Sequence, residues 1–141
     1  MRFFAPLLSL AAVFGAVAAQ EAARFGSVDV SPSSVRFDQP ITIHYNSSTA
    51  RTKPVAVDFY LQGTYANGFV LPEYPLGTMN DIQNVSYITF QRNLPVLYAS
   101  PTNGYQANTS FLVWAILTYP ESTSGALQRG GTSAGLAVTL D

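Results

Sequence analysis

Few residues in this sequence have the types and spacing that chemistry needs. The sharpest candidate is Gly131-Thr132-Ser133-Ala134-Gly135, which fits the Gly-x-Ser-x-Gly form of a nucleophile elbow. Such an elbow needs a strand before the serine, a helix after it, and then an acid and a histidine later in the chain. Only six residues follow Gly135, and the sole histidine, His44, lies far upstream. The segment therefore reads as a glycine-rich hairpin turn. His44 shares a strand face with Thr42, and without a second histidine or any cysteine it completes no transition-metal site.

Asp58, Glu73 and Asp81 are the acids whose convergence would make a glycosidase-like pair, one protonating the leaving oxygen and one attacking the sugar or activating water. Eight acids spread over a whole domain are few for this purpose, and a domain of this size leaves little room for a substrate cleft. No catalytic residue, metal ligand or cofactor is assigned. The chain reads as a binding protein rather than an enzyme.

Two groups of residues point towards surface roles. Asn46-Ser47-Ser48, Asn84-Val85-Ser86 and Asn108-Thr109-Ser110 are N-glycosylation sequons, placed in loops or at strand edges. Tyr60, Tyr65, Phe69, Tyr74, Tyr98 and Tyr105 fall on outward positions or in loops. Of these, Tyr65, Phe69, Tyr74, Tyr98 and Tyr105 are the candidate binding aromatics, because flat exposed rings stack on sugar faces or anchor protein interfaces. The competing role for the same rings is satellite core beneath loops.

The elements that must carry these residues begin after a leader. Met1 and Arg2 precede an almost unbroken apolar run from Phe3 to Val17, then Ala18, Ala19 and the polar pair Gln20 and Glu21. This is the pattern of a secretory signal peptide over residues 1–19, cleaved before Ala19 or Gln20. The run of about fifteen residues is shorter than the ~20 a spanning helix needs, and no second run of that length follows, so no membrane anchor is expected in the mature chain. Residues 20–25 are expected to be flexible, and 26–141 to form one domain.

Loss of Arg2 with the leader leaves six basic against eight acidic residues, with no run of like charge, which argues against nucleic acid and anionic membrane surfaces. The chain has no cysteine, so this extracellular domain must stand on its core without disulfides.

The mature sequence is a series of short alternating segments punctuated by Pro, Gly, Asn and Ser, with no helical period. Strands are expected at Gly26–Val30, Pro40–Tyr45, Pro54–Gln62, Val85–Arg92 and Ser110–Thr118, and over 135–140. A short edge strand is expected around Phe69–Leu71, where Pro72 and Pro75 limit its length. A further extension is expected at Val96–Tyr98, and a flexible turn over Gly125–Ser133. The Ser110–Thr118 segment is apolar on both faces, as in a central strand covered on both sides or reached by a loop. The pattern is all-β, a single immunoglobulin/fibronectin-III-like antiparallel β-sandwich with a small barrel as the alternative. Ile41, Ile43, Val57, Phe59, Leu61, Val113, Ala115, Leu136 and Val138 should form its core.

The leader ending Val17-Ala18-Ala19-Gln20, the absence of cysteine, Leu76-Gly77-Thr78, and then Gln83-Asn84-Val85-Ser86-Tyr87-Ile88-Thr89-Phe90 together resemble small secreted fungal proteins of immunoglobulin-like shape. Among these the chain is similar to the necrosis-inducing secreted effectors. The resemblance implies a fungal, effector-like protein without enzymatic activity that binds host proteins, in that family by interfering with plant immune receptor kinases. Many relatives carry cysteines and this chain has none; the matching pieces read as structural, so no functional residue is carried over.

Overall fold

In the computed structural model the structure describes residues 20, 23–95 and 108–139. The strands are β1 (Ser27–Ser31), β2 (Ser34–Arg36), β3 (Pro40–Asn46), β4 (Ala56–Thr64), β5 (Tyr74–Asn80), β6 (Tyr87–Asn93), β7 (Ser110–Pro120) and β8 (Leu127–Thr139). They form two sheets, a three-stranded one in the order β1-β3-β6 and a five-stranded one in the order β2-β8-β7-β4-β5. All ladders are antiparallel except that of β2 with β8, which is parallel. The chain is therefore all-β, as its alternation requires, but not wholly antiparallel.

The period of two in β3 and β4 decides what lies between the sheets. Ile41, Ile43 and Tyr45 from β3 face Val57, Phe59 and Leu61 from β4, joined by Phe111, Val113, Ala115 and Leu117 of β7; all are buried. Val138 packs against this core but is only partly buried. Phe59 and Phe90 stack across the sheets at 5.3 Å between centroids. Gly77 on β5 makes room for that ring, since a Cβ there would lie 2.3 Å from Phe90 Cζ. On the opposite flank Phe25 fills the space over Gly130. The hydroxyl of Tyr45 donates a 2.6 Å bond to the Phe25 carbonyl.

Two expectations need correction, and one strand had not been expected. The Phe69–Leu71 strand reduces to a single bridge between Thr64 and Val70. The edge strand is β5, which contains Pro75. Register shifts between Phe59 and Tyr60, where Pro75 sits opposite Tyr60, and an edge position tolerates a residue without an N–H. The glycine-rich segment expected as a turn is most of the long strand β8; Gly130 and Gly131 serve close packing, not chain reversal. The reversal lies at 121–126, where Gly125 adopts φ +70° and Glu121 N donates to Ala126 O at 2.8 Å. Finally, β2 had no strand signature of its own: it is a three-residue edge paired to the end of β8. The Val96–Tyr98 extension lies outside the described residues.

Candidate binding surface

Asp58, Glu73 and Asp81 are placed separately. Asp58 Oδ1 accepts a 2.5 Å bond from Thr78 Oγ1, and its Oδ2 lies 2.9 Å from Arg129 Nη2. Glu73 Oε1 accepts from Gln62 Nε2 at 3.5 Å. Gln62 stands four residues beyond Asp58 on β4, so the two carboxylates have different partners. Asp81 follows the end of β5 with φ 57°. Among the described residues no cluster of three or more His, Asp or Glu could hold a metal ion.

Ser133 sits in the middle of β8 opposite Trp114, so the elbow-like sequence has no strand-to-helix turn around it. His44 lies on the outer face of the small sheet opposite Thr89, whose Oγ1 is 3.4 Å from His44 Nδ1.

The candidate aromatics divide three ways. Tyr65 packs partly against the core and stacks on Phe69 at 5.7 Å, 28° between planes. Phe69 is 58% exposed and Val70 50%. Their loop is braced by Phe69 N to Asn67 Oδ1 at 3.0 Å and Gly68 N to Tyr65 O at 2.9 Å. Tyr74 is half-buried and lines an open depression of about 480 Å³ with Pro40, Gln91, Arg92 and Asn93. Tyr98 and Tyr105 lie outside the described residues. Asn46, Asn84 and Asn108 are all described; Asn84 and Asn108 are exposed, and Asn46 is half-buried at the end of β3.

A surface that sequence reading did not single out lies on the outside of the five-stranded sheet. Because Val113, Ala115 and Leu117 point inwards, Leu112, Trp114 and Ile116 point outwards along the same central strand, and all three remain half-buried. Tyr60 stands directly opposite Trp114 on β4, and Trp114 Nε1 donates to Gln62 Oε1 at 3.0 Å, which fixes the indole. On the other side Gly131, Ser133 and Gly135 of β8 form a low floor beside this ridge. A Cβ at Gly131 would lie 2.7 Å from Ile116 Cδ1, whereas one at Gly135 would meet nothing within 4 Å. The Asp58–Arg129 pair and Gln62 border the ridge. The legible signal was the doubly apolar run of β7, which the sequence presented as a central strand covered on both sides or reached by a loop.

No family model matches the chain, and no curated protein matches it. Among solved structures it is similar to Spo0M, a sporulation control protein from Bacillus subtilis, at 10% identity over 79% of this chain and 47% of that one, with a TM-score of 0.46. The chain thus spans about half the length of that protein. Among the described residues no helix is long and apolar enough to cross a membrane.

Proposed function

We propose that this chain is a secreted, N-glycosylated, non-enzymatic interaction protein on an immunoglobulin-like sandwich, and that it contacts an extracellular protein through the outer face of its five-stranded sheet. The observation that carries this reading is the ridge of Leu112, Trp114 and Ile116 with Tyr60 beside it, on the side of the sheet away from the core. An apolar aromatic centre with a polar rim is the anatomy of protein interfaces, and Trp and Tyr are the residues that most often anchor them. A second exposed apolar group, the stacked Tyr65–Phe69 pair, lies in the loop that follows β4. The non-catalytic part of the reading is supported by the separate partners of the two acids, Arg129 and Thr78 for Asp58 and Gln62 for Glu73.

The Trp114–Gln62 pair also favours a second reading, a wall- or glycan-binding module, since a ring next to a planar amide offers both stacking and hydrogen bonding to a sugar. Depletion assays with insoluble chitin, cellulose and β-glucan separate the two. A glycan binder leaves solution and ceases to do so on Trp114→Ala; a protein binder stays in solution and loses its partner on the same change. Reproducible hydrolysis that disappears with Asp58→Asn or Glu73→Gln would overturn the non-enzymatic reading.

A further inference from the structure

On the outer face of the small sheet one aromatic ring stands apart. The cross-strand rungs there are polar: Thr42 with Gln91, whose Nε2 reaches Thr42 Oγ1 at 3.3 Å, and His44 with Thr89. The next rung pairs Asn46 with Tyr87, and Tyr87 is 70% exposed, the most exposed large apolar side chain among the described residues. On its other side Asn46 pairs with Ser27, a small residue. Among the described residues Tyr87 is therefore the only large ring paired with Asn46 on that face.

Asn46 opens the first sequon, and its side chain is already oriented. Its Oδ1 accepts a 2.8 Å bond from the N–H of Ser48. That leaves Nδ2, the atom that carries an N-linked sugar, on the opposite side of the amide. The backbone around it is held firmly: Ser47 N donates to Ser86 O at 2.9 Å, Ser47 Oγ to Val85 O at 3.1 Å, and Lys53 Nζ to Ser47 O at 2.8 Å. Directly opposed residues on an antiparallel pair have Cβ atoms only about 4.5–5.5 Å apart. A sugar on Asn46 Nδ2 is thus attached within reach of the Tyr87 ring face.

We propose that Asn46 carries an N-linked glycan and that Tyr87 is the shelf on which its first N-acetylglucosamine residues lie. The inference rests on the reading of the chain as a secreted glycoprotein. It gives the ring an occupant from the chain itself: the apolar face of the sugar covers the ring, and the sugar hydroxyls face water.

The experiment uses the full chain secreted from a eukaryotic host. Glycopeptide mass spectrometry first reads occupancy at Asn46. Tyrosine nitration by tetranitromethane is then followed on the folded protein before and after enzymatic removal of the glycan, with Tyr60 as internal reference. Tyr87 should react several-fold more slowly while the glycan is present. In thermal unfolding, Asn46→Gln should lower the midpoint in the Tyr87 background and leave it unchanged in a Tyr87→Thr background, the coupling expected of groups in contact. An unoccupied Asn46 would overturn the glycan itself. An occupied Asn46 with equal Tyr87 reactivity and additive substitutions would overturn the shelf and leave the glycoprotein reading intact, pointing instead to a protein partner for the ring.

Discussion

The two outer faces of this protein differ in a way that the inner faces do not. Outside the small sheet the rungs are Thr42–Gln91, His44–Thr89 and Asn46–Tyr87, short polar pairs with a single large ring. Outside the large sheet the central strand presents Leu112, Trp114 and Ile116, with Tyr60 alongside. Water accounts for the first face, because half-solvated antiparallel strands alternate apolar in and polar out. On the second face the alternation is replaced by an apolar row, half-buried, with its indole fixed by Gln62. The difference is why the contact surface is proposed on the larger sheet rather than on the smaller one.

The largest effect should come from the shared interior. Phe59 is fully buried and stacks on Phe90, so it ties one sheet to the other. Phe59→Ala should cost about 3–5 kcal/mol in denaturant unfolding. Fluorescence of Trp114, in the large sheet, and far-ultraviolet circular dichroism should then report one coincident transition. Separate transitions would mean that the faces belong to independently stable sheets.

Next in size is a contrast within β8. Gly131→Ala places a methyl 2.7 Å from Ile116 Cδ1 and 3.1 Å from the Ala115 carbonyl, so it should destabilise by about 1–3 kcal/mol. Gly135→Ala meets open space and should be neutral or stabilise by up to about 1 kcal/mol. Equal effects would remove the case that the floor beside the ridge is shaped by Gly131.

Tyr45→Phe deletes the bond to the Phe25 carbonyl and should cost about 1 kcal/mol. It also carries a pH signature. Burial raises the Tyr45 phenol well above its ordinary value of 10.0. The folded state therefore keeps a proton that the unfolded state releases. This contribution is complete below pH 10 and is lost as pH rises from there towards the folded-state value, so stability falls in that range. The decline should be shallower in Tyr45→Phe. The smallest effect belongs to Arg129, which is exposed beside Asp58: Arg129→Ala should change stability by less than about 1 kcal/mol.

Much of this architecture was legible because β3 and β4 alternate without interruption: Ile41, Ile43, Val57, Phe59 and Leu61 are where period two places them. Where residue type and role diverge, reading by type fails. Pro75 argues against a strand, yet it is accommodated at an edge opposite a register shift. Gly130 and Gly131 look like turn residues but are needed because Phe25 and Ile116 approach the backbone. β2 is three residues long and exists only because the end of β8 is available to pair with it. The candidate surface was hidden for a related reason. Sequence can show that β7 is apolar on both faces, but which face looks inward, and what covers the other, depends on partners distant in the chain.

If the Leu112–Trp114–Ile116 ridge is the contact surface, Trp114, the only tryptophan in the chain, reports on binding directly. Its emission should be followed while the protein is titrated with soluble chitin, cellulose and β-glucan oligosaccharides and with candidate extracellular proteins. The true partner should shift Trp114 emission to the blue, shield it from acrylamide quenching, and no longer bind after Trp114→Ala. Saturable binding that leaves Trp114 emission and quenching unchanged, and survives Trp114→Ala, would contradict that placement of the contact surface.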